Sequence, residues 1–179
     1  INHIGAPAVW EMGIDGSGTV VASIDTGVQW DHPALKEHYR GFDPTNPDVP
    51  SHEYNFFDAV NGRTEAYDDQ GHGTHVTGTM VGSEPNEENQ IGVAPGAKWI
   101  AVKALNADGS GTDAQLIAAG EWILAPKDAA GNPNPEMAPD VVNNSWGGAS
   151  GLDEWYRQIV LAWRAADIFP EFSAGNTTN

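Results

Sequence analysis

Four short segments carry side chains suited to acyl transfer. The run Val20-Val21-Ala22-Ser23-Ile24 ends in Asp25-Thr26-Gly27, a carboxylate closing an otherwise apolar stretch. Gly71-His72-Gly73-Thr74-His75 sets an imidazole between glycines, which leave room for substrate and backbone to approach. Asn143-Asn144-Ser145-Trp146-Gly147-Gly148 and Phe172-Ser173-Ala174-Gly175-Asn176 follow. Cleaving an amide takes a nucleophile, a base that removes its proton, and donors for the oxyanion. His72 suits the base, because neutral imidazole accepts a hydroxyl proton near pH 7. Asp25 suits the group that orients it, and the carboxamide of Asn176 suits an oxyanion donor. Read one at a time, His72 is a helix cap, Asp25 caps the turn through Thr26-Gly27, and Asn176 is a turn residue after Gly175.

These groups need a scaffold that brings them together. Gly5 to Met12 reads as a short helix with Pro7 in its first turn. Thr19 to Ile24, continuous and β-branched, reads as a strand buried on both faces. Gly41 to Gln70, rich in Pro, Asn, Asp and Gly, reads as a long surface excursion. Gly73 to Met80 reads as a buried helix in which His75 is packed, and Trp99 to Leu105 as the second strand. Ala114 to Leu124 repeats apolar residues at helical spacing; Ala130 to Pro139 is a loop; Asp140 to Asn144 is the third strand. Leu152 to Ala166 is a helix with an inner stripe of Trp155, Ile159, Ala162, Trp163 and Ala166, and Asp153 and Glu154 at its positive end. Ile168 to Ser173 is the fourth strand. Strand and helix alternate, which predicts an α/β fold: a three-layer, doubly wound parallel sheet. Asp25, Ser145 and Asn176 then all emerge at carboxyl ends of strands, where such sheets build their sites.

Asp, then His, then a donor Asn, each beside glycines and in that order, resembles the subtilisin-like serine proteases (subtilases). The resemblance runs from about Trp10 to Asn176. It implies a secreted endopeptidase in which Asp25 orients His72, His72 activates a serine, and Asn176 stabilises the tetrahedral intermediate. It implies a substrate cleft between Gly109-Ser110-Gly111 and Ser145-Trp146-Gly147-Gly148, where a peptide adds as an extra strand. Leucine is usual in the family where Trp146 stands, so the resemblance does not fix the shape of the neighbouring S4 pocket. The family's serine segment follows the donor asparagine and is not within the 179 residues. The expectation is therefore that residues 1–179 are the N-terminal portion of one catalytic domain, and that a C-terminal remainder, bound noncovalently, supplies the serine.

The bulk composition bounds the rest. With 8 basic and 25 acidic residues the formal charge is −17, a surface that repels phosphate backbones and excludes a nucleic-acid partner. No apolar run approaches the roughly 18 residues of a membrane span. There is no cysteine, so no disulfide braces the fold. The chemistry calls for no cofactor. A structural calcium ion is a weaker expectation, with Asp58, Asp68 and Asp69 as oxygen donors; the His32-Pro33-Ala34-Leu35 segment lacks the aspartate that many subtilases carry there, and the loop before Ile91 is short. Two other readings stay open: a half-domain that binds peptides without cutting them, and a metal hydrolase using His72, His75 and the loop aspartates. His-x-x-His is three residues apart and lacks the glutamate of the helical zinc pair.

Overall fold

The computed structural model describes residues 1–84, 90–148 and 154–176. Its centre is a five-stranded, wholly parallel sheet built from β1 (Val20–Asp25), β2 (Phe56–Asp58), β3 (Lys98–Lys103), β4 (Val141–Asn144) and β5 (Phe169–Phe172) in the spatial order β2-β3-β1-β4-β5. Among the described residues four α-helices accompany it: α1 (Ala6–Trp10), α2 (His72–Val81), α3 (Asp113–Leu124) and α4 (Arg157–Ala165). Parallel strands must be joined by crossovers, and the helices that make them cover the sheet faces.

Alternation along the strands feeds two separate cores. Ala22, Ile24, Ile100, Val102 and Val142 pack toward α3 and α4, against Leu116, Trp122, Ile123, Tyr156 and Trp163. Val21, Trp99 and Ala101 point the other way, against Val81 of α2 and Val28, Leu35, Tyr39 and Phe56. Three of the large buried rings satisfy their polar handles: Trp99 Nε1 donates to Leu35 O (2.8 Å), Trp163 Nε1 to Gly120 O (2.9 Å) and Tyr156 OH to Leu116 O (2.9 Å). Helices therefore flank both faces, the doubly wound arrangement that the sequence predicts.

The segment 41–70 is not wholly a surface excursion. Phe56-Phe57-Asp58 adds a strand to the outer side of β3, with Phe56 opposite Ala101 and Asp58 opposite Lys103. Asn55, Phe56, Asp58 and Ala66 are buried. Three residues are too short for a periodic signal, and pairing with β3 outweighs the turn-forming composition around them. In the last helix, α4 begins at Arg157, after a turn that holds Glu154 to Tyr156. Tyr156 and Trp163 are its buried anchors, whereas Trp155 and Ala166, expected inside, are exposed. Glu154 pairs with Arg157 (2.6 Å), while Leu152 and Asp153 lie outside the described residues, as does most of the loop before Ile91.

The register sets up the site. Asp25 lies opposite Lys103, Ile24 opposite Asn144, and Asn144 opposite Phe172. The carboxyl ends of β1, β3, β4 and β5 thus form one rim, and the loops leaving it carry the residues singled out by their chemistry.

Candidate active site

Asp25 closes β1 and is fully buried. His72 opens α2, with its ring 46 % exposed. Its Nδ1 lies 2.7 Å from Asp25 Oδ1. The other ring nitrogen, Nε2, has no hydrogen-bond partner among the described residues. Three hydrogen bonds hold the aspartate side of this pair: Thr26 N donates to Asp25 Oδ1 (2.7 Å), and the Asp25 main-chain carbonyl accepts from Ala104 N and Leu105 N. Burial pushes the Asp25 carboxyl above its ordinary value, and the hydrogen bonds from His72 and Thr26 offset only part of that push.

Gly73 explains how a helix start can come so close to a strand end. A Cβ at this position would collide with the Gly27 carbonyl and sit 3.1 Å from Asp25 Cβ. Only glycine fits, and the one-residue offset then delivers His72 to Asp25.

The first turn of α2 leaves N–H groups without intrahelical partners. Here His72 N donates to Gln70 Oε1 (2.8 Å), Gly73 N to Thr26 Oγ1 (2.9 Å) and Thr74 N to Asp68 Oδ2 (3.0 Å). Asp68 also accepts from Gln70 N, Gly71 N, the Thr26 hydroxyl and the Thr74 hydroxyl. Burial alone would raise the Asp68 carboxyl; the donors from Gly71, Thr74 and Gln70 outweigh it and hold it below its ordinary value.

The three carboxylates expected to offer oxygens to calcium are engaged by the protein. Asp58 accepts from Val60 N, Asn61 N, Arg63 N and Tyr67 OH. Asp68 caps α2. Asp69 pairs with Lys103 Nζ at 2.5 Å, and that fully buried ammonium also donates to Thr26 O (2.7 Å) and Leu105 O (2.9 Å). His75 is exposed on α2 rather than packed, because the buried stripe of this helix runs through Gly73, Thr77 and Val81. Among the described residues no three His, Asp or Glu side chains gather closely enough to hold an ion.

The expected cleft strands sit on the same rim. Gly109-Ser110-Gly111 is an exposed turn tied by Asn106, whose Oδ1 accepts from Asp108 N and Ser110 N. It lies beside Gln70, the residue that holds the His72 amide. Thr112 then starts α3 with a capping box to Gln115. Ser145 and Trp146 are half-buried, and Gly147 and Gly148 are exposed. The Trp146 ring packs edge-on against Tyr156 (5.2 Å) and Phe172 (5.8 Å). Asn176 is exposed, four residues beyond the end of β5.

Sequence reasoning finds Asp25 and His72 but misses Thr26, Thr74, Gln70 and Lys103, and assigns Asp68 and Asp69 to a different task. Two signals were available. Acidic and amide residues just before a helix are capping candidates, and a lysine inside an apolar strand must find partners when buried.

Comparison with known proteins places the chain in a family. A model described as the subtilase family matches residues 16–179. The chain belongs to the subtilase family. It is 73 % identical over 177 residues to bacillopeptidase F of Bacillus subtilis (strain 168), covering 99 % of this chain and 12 % of that protein. It is 37 % identical over 179 residues to the minor extracellular protease Vpr of the same organism, covering 98 % of this chain and 20 % of Vpr. To the serine protease AprX, also from B. subtilis, it is 35 % identical over 171 residues, covering 92 % of this chain and 34 % of AprX. The chain thus spans about a third or less of the length of these three relatives.

Proposed function

We propose that this chain carries the base, its orienting carboxylate and an oxyanion donor of a secreted serine endopeptidase. The observation that carries the reading is the 2.7 Å contact between His72 Nδ1 and the buried Asp25 Oδ1, with Nε2 left unpartnered. A carboxylate on Nδ1 fixes the tautomer that presents a bare Nε2 lone pair. No serine hydroxyl hydrogen-bonds His72 among the described residues. The nucleophile in this reading belongs to polypeptide beyond residue 179, bound noncovalently where the two are separate chains.

The sheet offers a seat for that polypeptide. Helix α2 covers β1 and β3, but on the same side Phe169 of β5 is 60 % exposed, and a cavity of about 300 Å³ is lined by Val21, Met80, Val93, Ala94 and Val141. Ser23 Oγ and Thr77 Oγ1 are buried without partners. A segment docked here brings its serine to His72 Nε2. His72 takes the hydroxyl proton as the oxygen attacks the scissile carbonyl. Asn176 donates to the oxyanion, the imidazolium returns the proton to the leaving amine, and water resolves the acyl-enzyme. The peptide backbone lies between Gly109–Gly111 and Ser145–Gly148. The chemistry draws on no cofactor. Secretion is proposed by analogy with Vpr, whose name describes an extracellular protease. Without its serine the chain would bind peptides and leave them intact.

Two inhibitors test the reading on the full-length protease. Phenylmethylsulfonyl fluoride is expected to abolish peptide hydrolysis and to leave a phenylmethylsulfonyl group on one serine oxygen, with fluoride and the hydroxyl proton released, while EDTA leaves the reaction running. Full inhibition by EDTA with none by the sulfonyl fluoride would overturn it.

A further inference from the structure

The mechanism leaves Asp68 without a part, yet its carboxylate gathers five donated hydrogen bonds. Its Oδ1 accepts from the Thr26 hydroxyl (2.9 Å), Gln70 N (3.0 Å) and Gly71 N (2.9 Å); its Oδ2 accepts from Thr74 N (3.0 Å) and the Thr74 hydroxyl (2.6 Å). An ionised carboxylate only accepts, so both threonine hydroxyls must spend their protons on it. Their lone pairs are thereby turned outward. Thr26 Oγ1 then accepts from Gly73 N (2.9 Å), joining the end of β1 to the first turn of α2. Thr74 Oγ1 accepts from Gln29 N (2.9 Å), joining α2 back to the loop that leaves β1. Thr26, fully buried, is also the residue whose N–H holds Asp25 Oδ1. A backbone bridge between Gly27 and Asp68 keeps the carboxylate in place.

We propose that Asp68 is a positioning residue of the active site: by fixing the direction of the Thr26 and Thr74 hydroxyls it locks β1 to α2 and so sets the Asp25–His72 hydrogen bond. The proposal rests on the protease reading for its effect on rate, though not for its effect on geometry. A helix cap alone would need only the bond to Thr74 N. The two hydroxyl bridges cross between the element carrying the carboxylate and the element carrying the imidazole, which is the separation that matters for proton transfer.

Four variants of the full-length protease decide it: Asp68→Asn, Asp68→Ala, Thr26→Val and Thr26→Ser. Rates are normalised to folded protein by circular dichroism. The amide of Asp68→Asn is nearly isosteric, so it tests hydrogen-bond direction without opening a cavity; its NH₂ faces groups that are themselves donors. Asp68→Asn and Thr26→Val are expected to lower kcat by about 10²-fold with KM within roughly threefold, because small misplacement of reacting groups costs that much. Thr26→Ser is expected to recover most of what Thr26→Val loses. The downfield NMR resonance of the His72 Nδ1 proton is expected to shift or broaden in Asp68→Asn, and this readout needs no catalysis. If Asp68→Ala does not fold, Asp68→Asn carries the decision. Folded Asp68→Asn with an unchanged Nδ1 proton and a kcat within about threefold of wild type would overturn the proposal. An inactive wild-type protease would overturn the protease reading instead, and the Nδ1 resonance alone would then judge the role of Asp68.

Discussion

Replacing Lys103 by methionine isolates the contribution of a fully buried charge near the site. The lysine ammonium has no solvent exposure and three acceptors: Thr26 O, Leu105 O and Asp69 Oδ1. Methionine keeps most of the volume, so the packing loss is small. Both carbonyls lose their one donor among the described residues, and a buried acceptor left unpaired costs about 1–3 kcal/mol. Asp69 is 39 % exposed and regains water, so its share is slight. Against this, the variant no longer dehydrates an ammonium ion, which returns part of the loss. The net expectation is a destabilisation of about 2–4 kcal/mol, a large fraction of the roughly 5–15 kcal/mol that separates folded from unfolded domains. Urea unfolding followed by tryptophan fluorescence measures it: with a slope near 2 kcal/mol/M the midpoint falls by roughly 1–2 M. A midpoint that moves by less than about 0.3 M would refute the reasoning, since the desolvation cost of the ammonium would then cancel its three bonds.

Asp25→Asn separates stability from activity. The folded-state carboxyl is raised above its ordinary 3.8 by burial, so between 3.8 and that raised value the folded protein binds more protons than the unfolded one. Stability is lost as pH rises through this window. The neutral amide escapes that loss: thermal melts are expected to show the variant at least as stable as wild type at pH 7, with the advantage shrinking as pH falls toward 3.8, while kcat drops by about 10⁴-fold. A variant less stable at pH 7 would show that the carboxylate is stabilised by His72 more than it is penalised by burial. Gly73→Ala forces a methyl against the Gly27 carbonyl and Asp25; it should cost about 2–3 kcal/mol and separate the dyad. A melting temperature within about 1 °C of wild type would contradict the close approach.

Much of this fold was legible because burial writes simple patterns. Val20–Asp25 and Lys98–Lys103 have mainly apolar interiors, Val20 to Ile24 and Trp99 to Val102, since both faces of a parallel sheet are covered. Asp113–Leu124 repeats apolar residues at helical spacing beneath a capping box. Phe56–Asp58 was not legible, because three residues supply no period and their partner β3 is distant in sequence. In the site, Asp25 and His72 stood out by residue type and glycine flanks. Asp68, Asp69 and Lys103 were misread or missed for one reason: a carboxylate or ammonium looks the same in sequence whether it faces water, an ion or a backbone amide. Only the three-dimensional approach of residues 68–74 to Thr26 decides between those.

The role of His72 as the base is tested most directly by His72→Ala in the full-length protease, assayed on a peptide amide at neutral pH with folding verified by circular dichroism. The expected result is a fall in kcat of about 10⁶-fold with KM little changed, because the proposed substrate cleft draws on backbone of other segments. A folded His72→Ala protein that keeps more than about a hundredth of wild-type kcat would contradict the assignment.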